Sequence, residues 1–196
     1  TQPFMRSWGG RDWMFVHSGS LDDRPELDPD APFEPVGSTD TELVFCDLMT
    51  RFARRGWKRL RDADPVEVQS WLRPFDETGV LTCALSDGSD LLVYCDGQGQ
   101  QPCLLWQVKP PYEQLVFGDD EVAVDLTRRG AKSRKGIVVS TSVLESEGEG
   151  PAVWRELEPG SLLIVRQGAI VVEVPPVKVV PAVKVPAAKS DPAAKS

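Results

Sequence analysis

The segment TCALSDGSDLLVYC, Thr82–Cys95, constrains this chain more than any other. Two apolar runs flank Ser86, Asp87, Gly88, Ser89 and Asp90, residue types that tolerate the dihedrals of a tight turn. The runs therefore pair antiparallel, and any fold of the chain has to contain that hairpin. Further β-like runs cover Trp13–His17, Val80–Leu85, Leu91–Cys95, Leu104–Val108, Glu121–Leu126, Gly136–Ser140, Leu162–Val165 and Ala169–Val174. Most are rich in valine, leucine and aromatics, as strands packed on a core require.

Two helices announce themselves by their start signals. In STDTELVFCDLMTRFARRG, Thr39 is placed to cap the first helix and Glu42 to reach back to the cap amide. Leu43, Cys46, Met49 or Thr50, and Ala53 follow at helical spacing, Phe45, Leu48 and Phe52 widen the apolar face, and Arg54, Arg55 and Gly56 end it. The second helix starts at Asp64 with Pro65 in its first turn and Glu67 at the box position, and is predicted to run to about Leu72, before Pro74. Several strands with few helices imply an α+β class with mostly antiparallel sheets.

With 196 residues, 41% of them hydrophobic, the chain can bury one substantial core. From Pro175 the sequence PPVKVVPAVKVPAAKSDPAAKS loses amide donors to repeated prolines and keeps no apolar period. The expected organisation is a domain over residues 1–174 and a disordered tail over 175–196. Lys178, Lys184, Lys189 and Lys195 against Asp191 give the tail a charge of +3, leaving −11 for the domain. Such a tether is read as solubilising, with contact to a partner as the alternative.

The formal charge of −8 excludes a nucleic-acid binder, which needs a basic face, and suits a cationic or zwitterionic small substrate. Arg128, Arg129, Lys132, Arg134 and Lys135 form a local basic cluster, read as a solvated hairpin. No stretch approaches the ~20 apolar residues of a membrane span, and TQPFMRSWGG lacks the layout of a secretory signal. A cytoplasmic protein without membrane contact is expected. Cys46, Cys83, Cys95 and Cys103 sit singly in apolar runs and read as reduced core thiols. With no CxxC or HxxxH spacing, and His17 the only histidine, neither a metal site nor a cofactor is expected.

Chemistry concentrates in DWMFVHSGSL and PVGSTDTELVFC, a strand end running into a glycine turn and a loop running into a capped helix. Together with TQPF at Thr1–Phe4, FVHSG at Phe15–Gly19 and GSTDTE at Gly37–Glu42 resemble the (A/T)-x-PF, FxHNG and G-x-TD(S/T)E elements of the class II glutamine amidotransferases. The likeness continues more weakly through LSDGSDLLVYCDG (Leu85–Gly97), KGIVVSTSVL (Lys135–Leu144) and VWRELEPGSLLIVRQG (Val153–Gly168). It implies part of the four-layer αββα sandwich of the Ntn hydrolases, acting on glutamine or a γ-glutamyl amide and handing ammonia to a synthase partner.

The resemblance assigns roles residue by residue. Ser18 and Gly19 fall on the oxyanion hole, where the family has an Asn side chain and a Gly backbone N–H. Ser18 is a departure, since a hydroxyl on one carbon reaches less far than an amide, and loss of one such donor costs ~10²–10³ in rate. Asp40 falls on the residue that pairs with the α-ammonium of glutamine, although a carboxylate in a first helical turn is also favoured by the helix dipole. Thr39 and Glu42 are assigned to capping.

The family's nucleophile, an N-terminal cysteine that uses its own amine as base, has no counterpart in the sequence. Thr1 precedes the Pro-Phe step in mid-domain and is not in that register. The expectation is a fragment beginning downstream of its nucleophile, and so inactive alone. The alternative is an amidotransferase-like module that binds glutamine or a related amino acid without cleaving it.

Overall fold

The computed structural model describes residues 2–110, 115–118, 123–125, 135–148 and 153–177. In chain order its elements begin with β1 (Phe4–Trp8), β2 (Arg11–Ser18), α1 (Asp40–Arg55), a 3-10 turn (Leu60–Asp62) and α2 (Pro65–Asp76). Then come β3 (Thr82–Ser86), β4 (Asp90–Tyr94), β5 (Leu104–Val108), β6 (Leu115–Gly118), β7 (Ala123–Asp125) and β8 (Gly136–Ser140). The last are β9 (Glu145–Gly148), β10 (Trp154–Glu156), β11 (Leu162–Arg166) and β12 (Ala169–Val174).

A six-stranded sheet in the order β1-β2-β3-β4-β11-β12 organises the molecule, and every neighbouring pair is antiparallel. At its centre is the hairpin read from the sequence. Cys83 pairs with Tyr94 and Leu85 with Leu92, and between them one Asp87 carboxylate oxygen accepts the amides of Ser89 at 2.9 Å and Asp90 at 2.8 Å. The other oxygen accepts the Leu60 amide at 3.0 Å, which ties the turn to the 3-10 segment.

Both helices cover one face of this sheet. In β2 the burial alternates with the strand period, so Trp13, Phe15 and His17 point toward the helices while Met14 and Val16 face the other way and stay partly exposed. Phe45 of α1 stacks on Phe15 with centroids 5.4 Å apart, and Phe52 meets Trp13 edge-on at 5.0 Å. Val44, Leu48 and Met49 of α1, with Val68 and Leu72 of α2, complete this core against Leu85, Leu92 and Leu162.

The opposite face is covered by a three-stranded sheet in the order β10-β5-β8. Val93, Cys95 and Leu163 pack there against Cys103, Leu105 and Leu157, with Ile137 and Val139 alongside. A third sheet follows the order β7-β6-β9. Among the described residues the layers are thus helices, sheet and sheet. The class is α+β as expected, and no second helical layer is present among those residues.

The cap at Thr39 forms as predicted, accepting the Glu42 amide at 3.3 Å, and Gly56 ends α1 in the left-handed region at φ 72°. Glu42, however, reaches past the cap. Its carboxylate accepts the amides of Val36 at 2.9 Å and Gly37 at 2.7 Å and pairs with Arg6 at 2.6 Å, because the loop before the helix folds back over its first turn. In α2, Asp64 accepts the amides of Val66 and Glu67, whereas Glu67 pairs with Arg55 rather than completing a box. The helix also continues through Pro74 to Asp76. Phe75 packs on the core and Asp76 on Gly97, contacts that outweigh the hydrogen bond a helical proline removes.

The four cysteines are free and buried. Domain packing continues past residue 174, since the Pro175 carbonyl accepts the Gln69 amide group at 2.9 Å. Residues 178–196 of the expected tail, Arg128, Arg129, Lys132 and Arg134 of the basic cluster, and Thr1 lie outside the described residues.

Candidate functional site

Strand β2 carries His17 and Ser18 to its end, and Gly19 turns the chain at φ 125°. A Cβ at Gly19 would overlap the backbone carbonyl of Val80, so only glycine allows this close approach. Beyond the turn, the Val80 amide donates to the Ser20 carbonyl at 2.9 Å. Leu21 then forms a bridge with Gly79.

That turn is fastened to the start of α1 by Asp40. One oxygen of its carboxylate accepts the Leu21 amide at 2.9 Å and the other accepts the Thr41 amide at 2.7 Å. Burial favours the neutral acid, but these two amides, with His17 nearby, outweigh it and hold Asp40 below the usual carboxylate range. With the Thr41 hydroxyl as a third, longer donor at 3.4 Å, the carboxylate still keeps an acceptor site in reserve. Asp40 thus serves as a brace for the Gly19 turn as well as a standing negative charge beside it.

His17 is a strut of the same assembly and is only 6% exposed. Its Nε2 donates to the Val80 carbonyl at 3.0 Å, and its Nδ1 lies 3.0 Å from Thr41 Oγ1. Gln2 clamps the backbone at the same residue, donating to the His17 carbonyl at 2.9 Å and accepting its amide at 2.7 Å. Gln2 thus supplies the end of β2 with the hydrogen bonds that a further strand residue would.

Ser18 points to the other side of the sheet. It lies in the wall of a cleft of about 470 Å³ between the two stacked sheets, with Val16, Thr82, Ala84, Val139 and Ser140. Ser18 Oγ accepts a hydrogen bond from Gln101 Nε2 at 2.9 Å. Gln101 sits in the loop between β4 and β5. Asp96 Oδ2 accepts the amides of Gln100 at 2.6 Å and Gln101 at 3.0 Å, and the Asp96 amide donates to Thr82 Oγ1 at 3.2 Å.

The structure therefore gathers Ser18, Gly19 and Asp40 around one turn, although only Ser18 of the three lines the cleft. Gln2, Thr82 and Gln101 were not among the sequence candidates. None of them carried a signal, since Gln2 occupies the variable position of the TQPF element. Cys83 touches the cleft, but burial pushes its thiol up, and burial does the same to Cys46. Among the described residues no group of His, Cys, Asp or Glu is placed to hold a metal ion, and no helix is long and apolar enough to cross a membrane.

Known proteins resemble this chain in sequence and fold. The family profile described as "Glutamine amidotransferases class-II" matches residues 1–188. An uncharacterised protein of Methanocaldococcus jannaschii is 27% identical over 87% of this chain and 46% of its own length. YafJ of Escherichia coli K12, which is named as a glutamine amidotransferase, is 27% identical over 88% of this chain and 65% of its own. The crystal structure of a predicted glutamine amidotransferase from Pseudomonas aeruginosa superposes with a TM-score of 0.66 at 26% identity, covering 88% of this chain and 64% of that one. The chain spans less than two thirds of the length of each of these relatives. On the extent of the family match, which runs through every strand of the six-stranded sheet and both helices, this chain is a member of the class II glutamine amidotransferases.

Proposed function

We propose that the chain forms the glutamine-binding part of an enzyme that hydrolyses the side-chain amide of glutamine or of a γ-glutamyl compound. The observation that carries this reading is the hydrogen bond from the Leu21 amide to Asp40, which joins the HSG turn to the TDTE helix start in one site. Asp40, held ionised, receives the α-ammonium of the amino acid through charge-assisted hydrogen bonds. The Gly19 N–H and the Ser18 hydroxyl stabilise the oxyanion that forms when the amide carbon is attacked.

The nucleophile is assigned to a group other than the four cysteines. All four are buried in the core, and a neutral thiol such as the one burial imposes on Cys83 is a poor nucleophile. The ammonia released passes to a synthase partner, and the protein works in the cytoplasm.

A second reading, binding without cleavage, is favoured by Ser18 standing where the family has asparagine. The two separate on incubation of the whole protein that contains this chain with L-glutamine. Hydrolysis yields glutamate and ammonia in equal amounts, whereas a binding module gives calorimetric heat and no glutamate. Neither heat nor glutamate would overturn both readings.

A further inference from the structure

We propose that Gln101 is a positioning residue that turns Ser18 into a hydrogen-bond donor toward the carbonyl oxygen of the bound amide. The inference rests on the oxyanion reading of the HSG turn. A serine hydroxyl has one proton to give and two lone pairs to receive with, so what it offers a ligand depends on what its neighbours take. Gln101 Nε2 donates to Ser18 Oγ at 2.9 Å. That fills an acceptor position, leaves the hydroxyl proton for another partner, and polarises the O–H bond toward stronger donation.

The opposite setting of the carboxamide would let its oxygen accept the Ser18 proton and remove the donor. The observed setting instead leaves Gln101 Oε1 buried without a partner among the described residues, a state that folds normally avoid. The loop brings the carboxamide to this place. Asp96 pins the backbone amides of Gln100 and Gln101, its own amide is tied to Thr82, and Thr82 is the register partner of Ser18 across the sheet. Gln101 is thus delivered to Ser18 by its backbone, and the orphan oxygen is the cost of keeping Nε2 on the hydroxyl. The amide that the family carries at position 18 acts here from one step further back, through a serine.

The test measures glutamate release and glutamine affinity on the whole protein of which this chain is the glutamine-binding part. Gln101→Glu presents a carboxylate that captures the Ser18 proton, and kcat is expected to fall about 10²-fold with KM little changed, the effect of losing one oxyanion donor. Gln101→Ala frees the hydroxyl rotor and is expected to cost about three- to tenfold, the worth of an ordinary hydrogen bond. Adding Ser18→Asn to Gln101→Ala should restore the rate, because asparagine brings its own amide. Gln101→Glu should cost nothing further once Ser18 is alanine. A protein that binds glutamine without releasing glutamate overturns the inference, since no oxyanion then forms for Ser18 to meet.

Wild-type kinetics in Gln101→Glu, or an undiminished loss in the Ser18→Ala background, would overturn the inference while leaving an Asp40-dependent glutamine site standing. A wild type that neither binds nor cleaves glutamine overturns the reading and the inference with it.

Discussion

The six-stranded sheet has two faces made by the same strands and put to different uses. Toward the helices it presents Trp13, Phe15, Leu85 and Leu92, all essentially out of solvent beneath Phe45, Leu48 and Phe52. Toward the second sheet the alternate residues Val16, Ser18, Thr82 and Ala84 are smaller and border a cleft of about 470 Å³. One face is filled by large rings that interlock and the other is left open at its end, so stability and ligand access are divided between the two sides of one layer. The Gly19 turn is where they meet, because its backbone is braced from the helical side by Asp40 and from the cleft side by the loop that holds Ser18.

Substitutions on the two faces should therefore differ sharply. Phe45→Ala removes the ring stacked on Phe15 and should cost about 3–5 kcal/mol by denaturant unfolding. A loss below about 1 kcal/mol would mean that the helical face is not the stabilising one. At the junction, Gly19→Ala forces a side chain against the Val80 carbonyl at a positive φ, and about 1–3 kcal/mol of strain is expected, with loss of any glutamine binding.

Asp76 lies at the seam, accepting the Gly97 amide at 2.9 Å and the Tyr94 hydroxyl at 3.1 Å. Burial, with Asp96 beside it, pushes its carboxyl up to about 6 from the usual 3.8. The folded state thus holds a proton that the unfolded chain has released, so this group's stabilisation is lost as the pH rises from about 4 through 6 and stays level above. Asp76→Asn should flatten thermal stability across that window and raise it by about 1 kcal/mol at pH 7. An unchanged slope would show that Asp76 does not titrate there. Smallest of all, Val16→Ala on the cleft face, where Val16 is 41% exposed, should cost less than about 1 kcal/mol.

What the sequence disclosed follows the range of the interactions concerned. The Asp87–Gly88 hairpin, the Thr39 and Asp64 caps and strands β5, β8 and β12 depend on neighbours in the chain, and the structure has them where turn chemistry and alternation put them. Strand β1 escaped notice because FMRSW is short, interrupted by Arg6 and Ser7, and held at the sheet edge by β2 alone. The continuation of α2 past Pro74 depends on Phe75 and Asp76 finding distant partners. The site divides in the same way. Ser18, Gly19 and Asp40 were legible as ordered motifs, whereas Gln101 reaches Ser18 across 83 residues of sequence, and a polar loop such as DGQGQQ carries no local mark of that contact.

The central claim, that the braced turn is a glutamine site, is tested most directly by calorimetric titration of the full chain with L-glutamine, beside Asp40→Asn. Asparagine keeps an oxygen for the Leu21 amide, removes the charge, and gives up the oxygen that accepts the Thr41 amide. Saturable binding by the wild type and affinity at least about tenfold weaker in an equally folded Asp40→Asn is the predicted result, the scale of one charge-assisted hydrogen bond. Equal affinity in the two proteins, or no binding by the wild type, would contradict it.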